Sequence, residues 1–208
     1  MKQVLVTGGC GFLAAWIARR LVRRGIRLRL FDIHDTRDTV LQIVDAQHHG
    51  LLEWRVGDIR NAEDVSAAMQ GCDGVVHLAG VLTPACSADP VLGAQINLLG
   101  SLHVLEAARV QGLRQVVYAS SAGVYGPDHA NHPAPATHYG AFKLAVEGSA
   151  RAYWHTHGLA SVGFRPFIVY GPGRETGVSA GPSLACRAAA CGQPSGIGST
   201  GAAGLVYV

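Results

Sequence analysis

Charge is scarce in this 208-residue chain: Asp, Glu, Lys and Arg together make up 15%, where about 25% is usual. The 17 Lys plus Arg exceed the 14 Asp plus Glu by only three, and no basic run is interleaved with aromatics, so a nucleic-acid partner is not expected. Cysteine pairs are also missing. The five cysteines, Cys10, Cys72, Cys86, Cys186 and Cys191, are odd in number and contain no CxxC, which favours free thiols in a reducing cytoplasm over a disulfide framework. An export signal is not expected, because Thr7, Gly8 and Gly9 interrupt the apolar stretch after Lys2, and Arg19 and Arg20 close it. The uncharged stretch 188–208 is no membrane span either, since Gln193, Pro194, Ser195, Ser199, Thr200 and several glycines break it. With 49% hydrophobic residues, disorder is excluded. What the chain has in excess is glycine, 27 of 208, against about 7% in ordinary proteins; many tight turns or close backbone approaches follow.

Apolar runs and helical periodicities alternate along the chain. Residues 4–6 form a short, wholly apolar run, the pattern of a strand buried on both faces. Phe12, Leu13, Trp16, Ile17, Leu21 and Val22 then recur at the spacing of a helix face. The alternation continues with strands at 26–31, 51–56, 75–78, 115–120 and 161–170, and with helices at 62–69, 90–110 and 139–157. Such an order implies a parallel sheet covered on both sides, in the doubly wound α/β (Rossmann) dinucleotide-binding arrangement. The first domain is expected to span 1–172. Residues 173–208 are rich in Gly, Ala, Ser and Pro, with one helix at 183–190, and read as the start of a smaller substrate-binding region. Because the chain stops in an apolar strand, 204–208, it is expected to be truncated.

Thr7-Gly8-Gly9-Cys10-Gly11-Phe12-Leu13-Ala14 follows the first strand and opens the first helix. Gly8 permits a sharp turn, Gly11 lets backbone approach a pyrophosphate, and Ala14 lets the helix pack closely. The helix N-terminus then receives the phosphates. Asp32, 24 residues beyond Gly8, ends the second strand, where a carboxylate accepts from both ribose hydroxyls and repels a 2′-phosphate, so NAD is expected rather than NADP. Asp35 competes for this role.

Tyr139 and Lys143 are four residues apart on a predicted helix and share a face. A phenol has a reference pKa near 10. An ammonium about 4 Å away stabilises its phenolate by up to about 4 kcal/mol at an effective dielectric of 20, roughly three pKa units. Such a phenolate can take the proton of a substrate hydroxyl while hydride leaves the carbon. The preceding segment, Tyr118-Ala119-Ser120-Ser121-Ala122-Gly123-Val124-Tyr125-Gly126, puts hydroxyls at the carboxyl end of the fifth strand, where open α/β sheets bind ligands. Ser121 is the candidate for orienting the substrate oxygen.

In the order and spacing of these motifs the chain resembles the NAD-dependent epimerase/dehydratase family, the extended branch of the short-chain dehydrogenases/reductases. The resemblance implies a cofactor loop with Gly8, Gly11, Phe12 and Leu13, a ribose-binding strand end at Asp32 and Ile33, and adenine contacts at Asp58 and Ile59. It also places Leu78, Ala79 and Gly80 beneath the pyrophosphate and ribose, Ala119 along the cofactor, and Pro166 and Phe167 behind the nicotinamide, next to Arg165. Ser121, Tyr139 and Lys143 match the family's catalytic residues, and Asn97 matches a helix residue that supports the lysine. A sugar-like substrate and a homodimer built from the helices at 90–110 and 139–157 are implied as well.

Two departures weaken a nucleotide-sugar assignment: the loop between Tyr125 and Tyr139 is short, and Ile168 stands where the family commonly has an Asn that touches substrate. Ala122 and Gly123 argue against dehydration, since a dehydratase usually carries Asp and Glu there. A dehydrogenase of a free sugar or sugar acid is the rival enzyme, and a non-catalytic NAD-sensing protein the rival from another class. No metal site is expected. His155 and His157 read as residues of a helix end, His129, His132 and His138 as loop residues, with His138 also a candidate substrate contact. Arg174 is a candidate for an anionic substrate group or for a surface pair with Glu175.

Overall fold

Val4, Leu5 and Val6 are all buried because β1 (Gln3–Thr7) has a core on each side. Alternate side chains of a strand point to opposite faces. Leu5 accordingly joins Phe31, Val65, Val75, Val104 and Val146, while Val4 and Val6 join Ala14, Ala18, Leu28, Leu30 and Val40. A computed structural model describes residues 2–127, 131–177, 179–196 and 204–208. Around β1 stand β2 (Arg27–Asp32), β3 (Leu52–Val56), β4 (Gly74–His77), β5 (Val116–Ala119) and β6 (Ser161–Phe164). The six strands are parallel, in the order β3-β2-β1-β4-β5-β6, which is the doubly wound order that the alternation predicts. The order reverses beside β1, so the crevice for a ligand opens at the carboxyl ends of β1 and β4.

Helix α1 (Phe12–Val22) lies close on the sheet because Ala14, Ala15 and Ala18 are fully buried and small. Two short helices, α2 (Asp38–Ile43) and, after α3 (Ala62–Met69), α4 (Thr83–Ala88), were not anticipated. Each of the two has six residues, too few for a 3.6-residue period to emerge. The helix expected at 90–110 is interrupted: α5 (Pro90–Ala94) passes into a wide π turn, Gln95–Leu99, and then α6 (Gly100–Val110). By length and composition Pro90–Val110 would cross a membrane, but α6 packs on α3 and β4 and buries Val104, Leu105, Ala107 and Ala108. Helix α7 (His138–His157) starts at Thr137, whose hydroxyl accepts from Gly140 N–H at 3.1 Å, and ends at Gly158 with a φ of 67°, the left-handed stop that glycine adopts without strain.

The chain forms two compact units, Met1–Arg165 and Pro166–Val208, whereas the sequence places the boundary after residue 172. The single strand expected at 161–170 is in fact two. Pro166 has no N–H for a ladder, and β7 (Ile168–Tyr170) pairs in parallel with β8 (Leu205–Tyr207) in a separate two-stranded sheet. Helix α8 (Gly181–Ala190) completes the second unit.

Candidate active site

At the crevice the first unit has a cavity of about 440 Å³. Gly8, Gly11, Asp32, Ile33, Asp58, Ile59, Leu78, Ala79 and Gly80 all line it, as the sequence anticipates. Gly8 has a φ of 67°, and a Cβ there would lie 2.9 Å from the Ala79 nitrogen; any side chain would fill the cradle and strain the turn. Gly11 caps α1 without a side chain, and no acidic residue sits in the first turn, an arrangement suited to an anion. Phe12 and Leu13 follow in that first turn, outside the cavity wall, with Phe12 buried. The carboxylate of Asp32 accepts the N–H of Cys10 at 3.0 Å and of His34 at 3.3 Å, which aims it across the loop. Asp35 instead takes both of its bonds from Arg37, at 2.6 and 2.9 Å, and this guanidinium holds its carboxyl below the usual range. Arg60, Val81, Leu92 and Ile96 also wall the cavity and were not anticipated. Arg60 and Val81 directly extend recognised motifs; Leu92 and Ile96 are four apart on a helix whose orientation only the fold reveals.

One face of α7 holds Tyr139 and Lys143. Lys143 Nζ lies 5.7 Å from the centre of the Tyr139 ring and donates to the Ala119 carbonyl at 2.8 Å. Lys143 is buried, and desolvation pushes its pKa down to about 8. Ser121 Oγ accepts the N–H of Gly123 at 3.0 Å. A Cβ on Gly123 would sit 3.2 Å from that oxygen and 3.6 Å from the Tyr139 ring, so the serine hydroxyl and the tyrosine ring border the same space beside Gly123. Gly80, on the cavity wall, brings the two regions together: a Cβ there would be 3.6 Å from Lys143 Nζ. Tyr139, Lys143 and Ser121 therefore gather next to the cleft. A Cβ on Gly140 would press into the Gly123 carbonyl, backbone that cannot step aside. Gly140→Ala is expected to cost about 1–3 kcal/mol and to lower Tm in a thermal scan.

Other candidates are placed differently from expectation. Asn97 is buried, but its side chain bonds Val81 and Cys86 rather than the lysine ammonium. Arg165 turns to Glu147, with bonds of 2.8 and 2.6 Å, and also donates to the Tyr125 hydroxyl. Glu147 in turn accepts from Ser120, and the Arg165 guanidinium keeps the Glu147 carboxyl below its ordinary range. Pro166 and Phe167 open the second unit. Glu175 pairs with Arg187, and Arg174 bonds Ser179 at 2.8 Å. His129 lies outside the described residues; among these, no three His, Cys, Asp or Glu side chains group as metal ligands.

A parallel six-stranded sheet, a glycine cradle at its switch point and a carboxylate closing the second strand define a dinucleotide-binding fold. The chain belongs to the NAD dependent epimerase/dehydratase family, which it matches over residues 4–203. It is 31% identical over 198 residues to mouse 3 beta-hydroxysteroid dehydrogenase type 7, covering 82% of this chain and 51% of that protein. With the UDP-glucose 4-epimerase of Mycolicibacterium smegmatis it shares 32% identity over 189 residues, 86% of this chain and 60% of the relative. Among solved structures, the UDP-glucose 4-epimerase of Thermus thermophilus in complex with NAD superposes with a TM-score of 0.77 at 30% identity, over 92% of this chain and 64% of that one. The chain thus spans about half to two thirds of the length of these relatives. NAD is the cofactor of the family, and the residues present fit it: the cradle at Gly8 excludes a Cβ, Gly11 leaves the helix end bare, and Asp32 carries the negative charge that NADP would meet unfavourably.

Proposed function

We propose that the chain oxidises a secondary hydroxyl of a sugar or nucleotide-sugar through Ser121, Tyr139 and Lys143. The observation that carries this reading is the buried Lys143 ammonium against the Tyr139 ring, with the Ser121 hydroxyl and that ring bordering one space beside Gly123. NAD, when bound, supplies the hydride acceptor. Ser121 Oγ is fixed by the Gly123 N–H and keeps its own hydrogen to donate to the substrate oxygen. Tyr139 takes the substrate proton, and Lys143 stabilises the phenolate by its charge. Asp32 holds the ribose. Asp32→Ser is expected to raise the affinity for NADPH relative to NADH by about tenfold or more, because about 1.4 kcal/mol of lost repulsion suffices; fluorescence titration with the two nucleotides measures it.

A second reading, a dehydrogenase that releases its ketone, is favoured by Ile168 in place of a polar substrate contact and by the similarity to a hydroxysteroid dehydrogenase. Incubation with either UDP-glucose or a 3β-hydroxysteroid, with and without added NAD, separates the two. Sugar epimerisation without added NAD supports the first, and NADH accumulation with the steroid the second. NAD binding without chemistry on these or on a panel of sugars and sugar acids would leave only a nucleotide-binding protein. A cytoplasmic homodimer is part of the proposal, supported by free cysteines and by Val91, Leu99 and Val110 exposed along the 90–110 helix; sedimentation velocity tests the dimer.

A further inference from the structure

Thr7, His77, Ser101 and Asn97 are polar residues buried in the first unit, and they form one hydrogen-bonded chain. Thr7 Oγ1 accepts the N–H of Ala79 at 3.2 Å, shares the N–H of Leu78 with the Thr7 main-chain carbonyl (3.2 and 3.1 Å), and lies 2.6 Å from His77 Nδ1. A hydroxyl has two lone pairs and one proton. The Ser101 hydroxyl gives its one proton to the Asn97 main-chain carbonyl, so it accepts from Nε2, and the neutral ring is left with a bare Nδ1 facing the Thr7 hydroxyl. Nε2 then donates to Ser101 Oγ at 2.9 Å, and the Ser101 hydroxyl donates to the main-chain carbonyl of Asn97 at 2.6 Å, the residue whose side-chain amide bonds Val81 separately. Every proton in the chain has a fixed direction. Burial keeps the imidazole neutral, its pKa pushed down to about 3 by desolvation first and by Lys143 second.

Both ends of the chain hold the wall of the dinucleotide cleft. Thr7 directly precedes Gly8 and fixes the backbone at Leu78 and Ala79. At the other end, Asn97 accepts the Val81 N–H at 3.1 Å and donates to the Val81 carbonyl at 3.0 Å. Gly80 lies between these two anchors, and a Cβ there would be 2.5 Å from Asn97 Oδ1. Segment 78–81 lines the cavity, while His77 and Ser101 do not touch it. We infer that His77 and Ser101 are positioning residues for the dinucleotide: their relay sets the distance between the glycine cradle and the wall 78–81, and with it the fit of NAD. Removing one link leaves a buried donor or acceptor unpaired, which the wall relieves by moving.

The test uses the full chain and NADH. Ser101→Ala and Thr7→Val are each expected to weaken NADH binding about tenfold, while Thr7→Ser, which retains the hydroxyl, binds as the parent does. Met69→Ala, a core truncation outside the cleft, is the control for general destabilisation; it should lower Tm and leave NADH affinity unchanged. Nitrogen-15 spectra of the parent should show His77 with a protonated Nε2 and a bare Nδ1. Parent-like NADH affinity in Ser101→Ala and Thr7→Val would overturn the inference, as would equal weakening in Met69→Ala. A proton on Nδ1 would overturn it without any variant.

Discussion

Tyr139→Phe is expected to reduce turnover by about 10²–10⁴-fold, the usual weight of a positioned acid–base group, with NADH affinity unchanged. Phenylalanine keeps the ring that packs over Lys143 and beside Gly123 and removes only the oxygen to which the proposed proton transfer is assigned. The loss should fall on kcat rather than on KM, because the deleted interaction acts mainly in the transition state. Steady-state kinetics on whichever alcohol the parent oxidises or epimerises, with fluorescence titration of NADH, provides both readouts. Full turnover in the variant would remove Tyr139 from the mechanism while leaving the cofactor cleft as described.

Lys143→Met is expected to abolish turnover and yet to stabilise the protein at neutral pH. The lysine pKa falls from its ordinary 10.5 to about 8 through burial. Below about pH 8 the folded and unfolded chains both carry the proton, and the full desolvation penalty, roughly 3 kcal/mol, is present. Between pH 8 and 10.5 the unfolded chain holds more protons than the folded one, so this penalty shrinks as pH rises. Methionine removes it at all pH values but leaves the Ala119 carbonyl without its 2.8 Å partner, at a cost of about 1–3 kcal/mol. A net gain of about 1 kcal/mol, or roughly 2–4 °C in Tm, follows at pH 7. Parallel thermal scans should cross between pH 8 and 10.5, the variant becoming the less stable of the two as the parent's penalty vanishes, and a variant less stable than the parent at pH 7 would contradict the assignment of Lys143 as a strained, buried charge. The same shift bears on turnover: above about pH 8 the ammonium loses the charge with which it would hold the phenolate.

The parts of this molecule legible in its sequence are those written locally. Apolar runs too short for helices mark the strands, and the glycine turn between strand and helix marks the cradle. The carboxylate at the end of β2 and the four-residue spacing of Tyr139 and Lys143 complete the list. The choice between Asp32 and Asp35 required coordinates, because both lie near the end of β2, and only the fold shows Asp32 lining the cavity while Arg37 captures Asp35. Asn97 was assigned to the lysine by resemblance, whereas the wide turn at Gln95–Leu99 delivers its side chain to Val81 and Cys86. His77 and Ser101 meet across 24 positions, and Ser120 and Glu147 across 27. No periodicity or short motif encodes such pairings; they exist only once the sheet has brought β4, β5 and the helices side by side. The break after β6 was missed because apolar residues continue on both sides of Pro166 and the apolar pattern outweighed the lost N–H.

Helix α7 meets the end of β5 through residues that recur every four positions: Tyr139 beside Ser121, Lys143 on the Ala119 carbonyl, Glu147 on Ser120. One residue inserted ahead of Lys143 would swing the rest of the helix by about 100° and unseat the second and third contacts together. Length variation in this region is therefore confined to the stretch before Thr137, where a redesign for a different substrate has room to lengthen the chain without disturbing the helix.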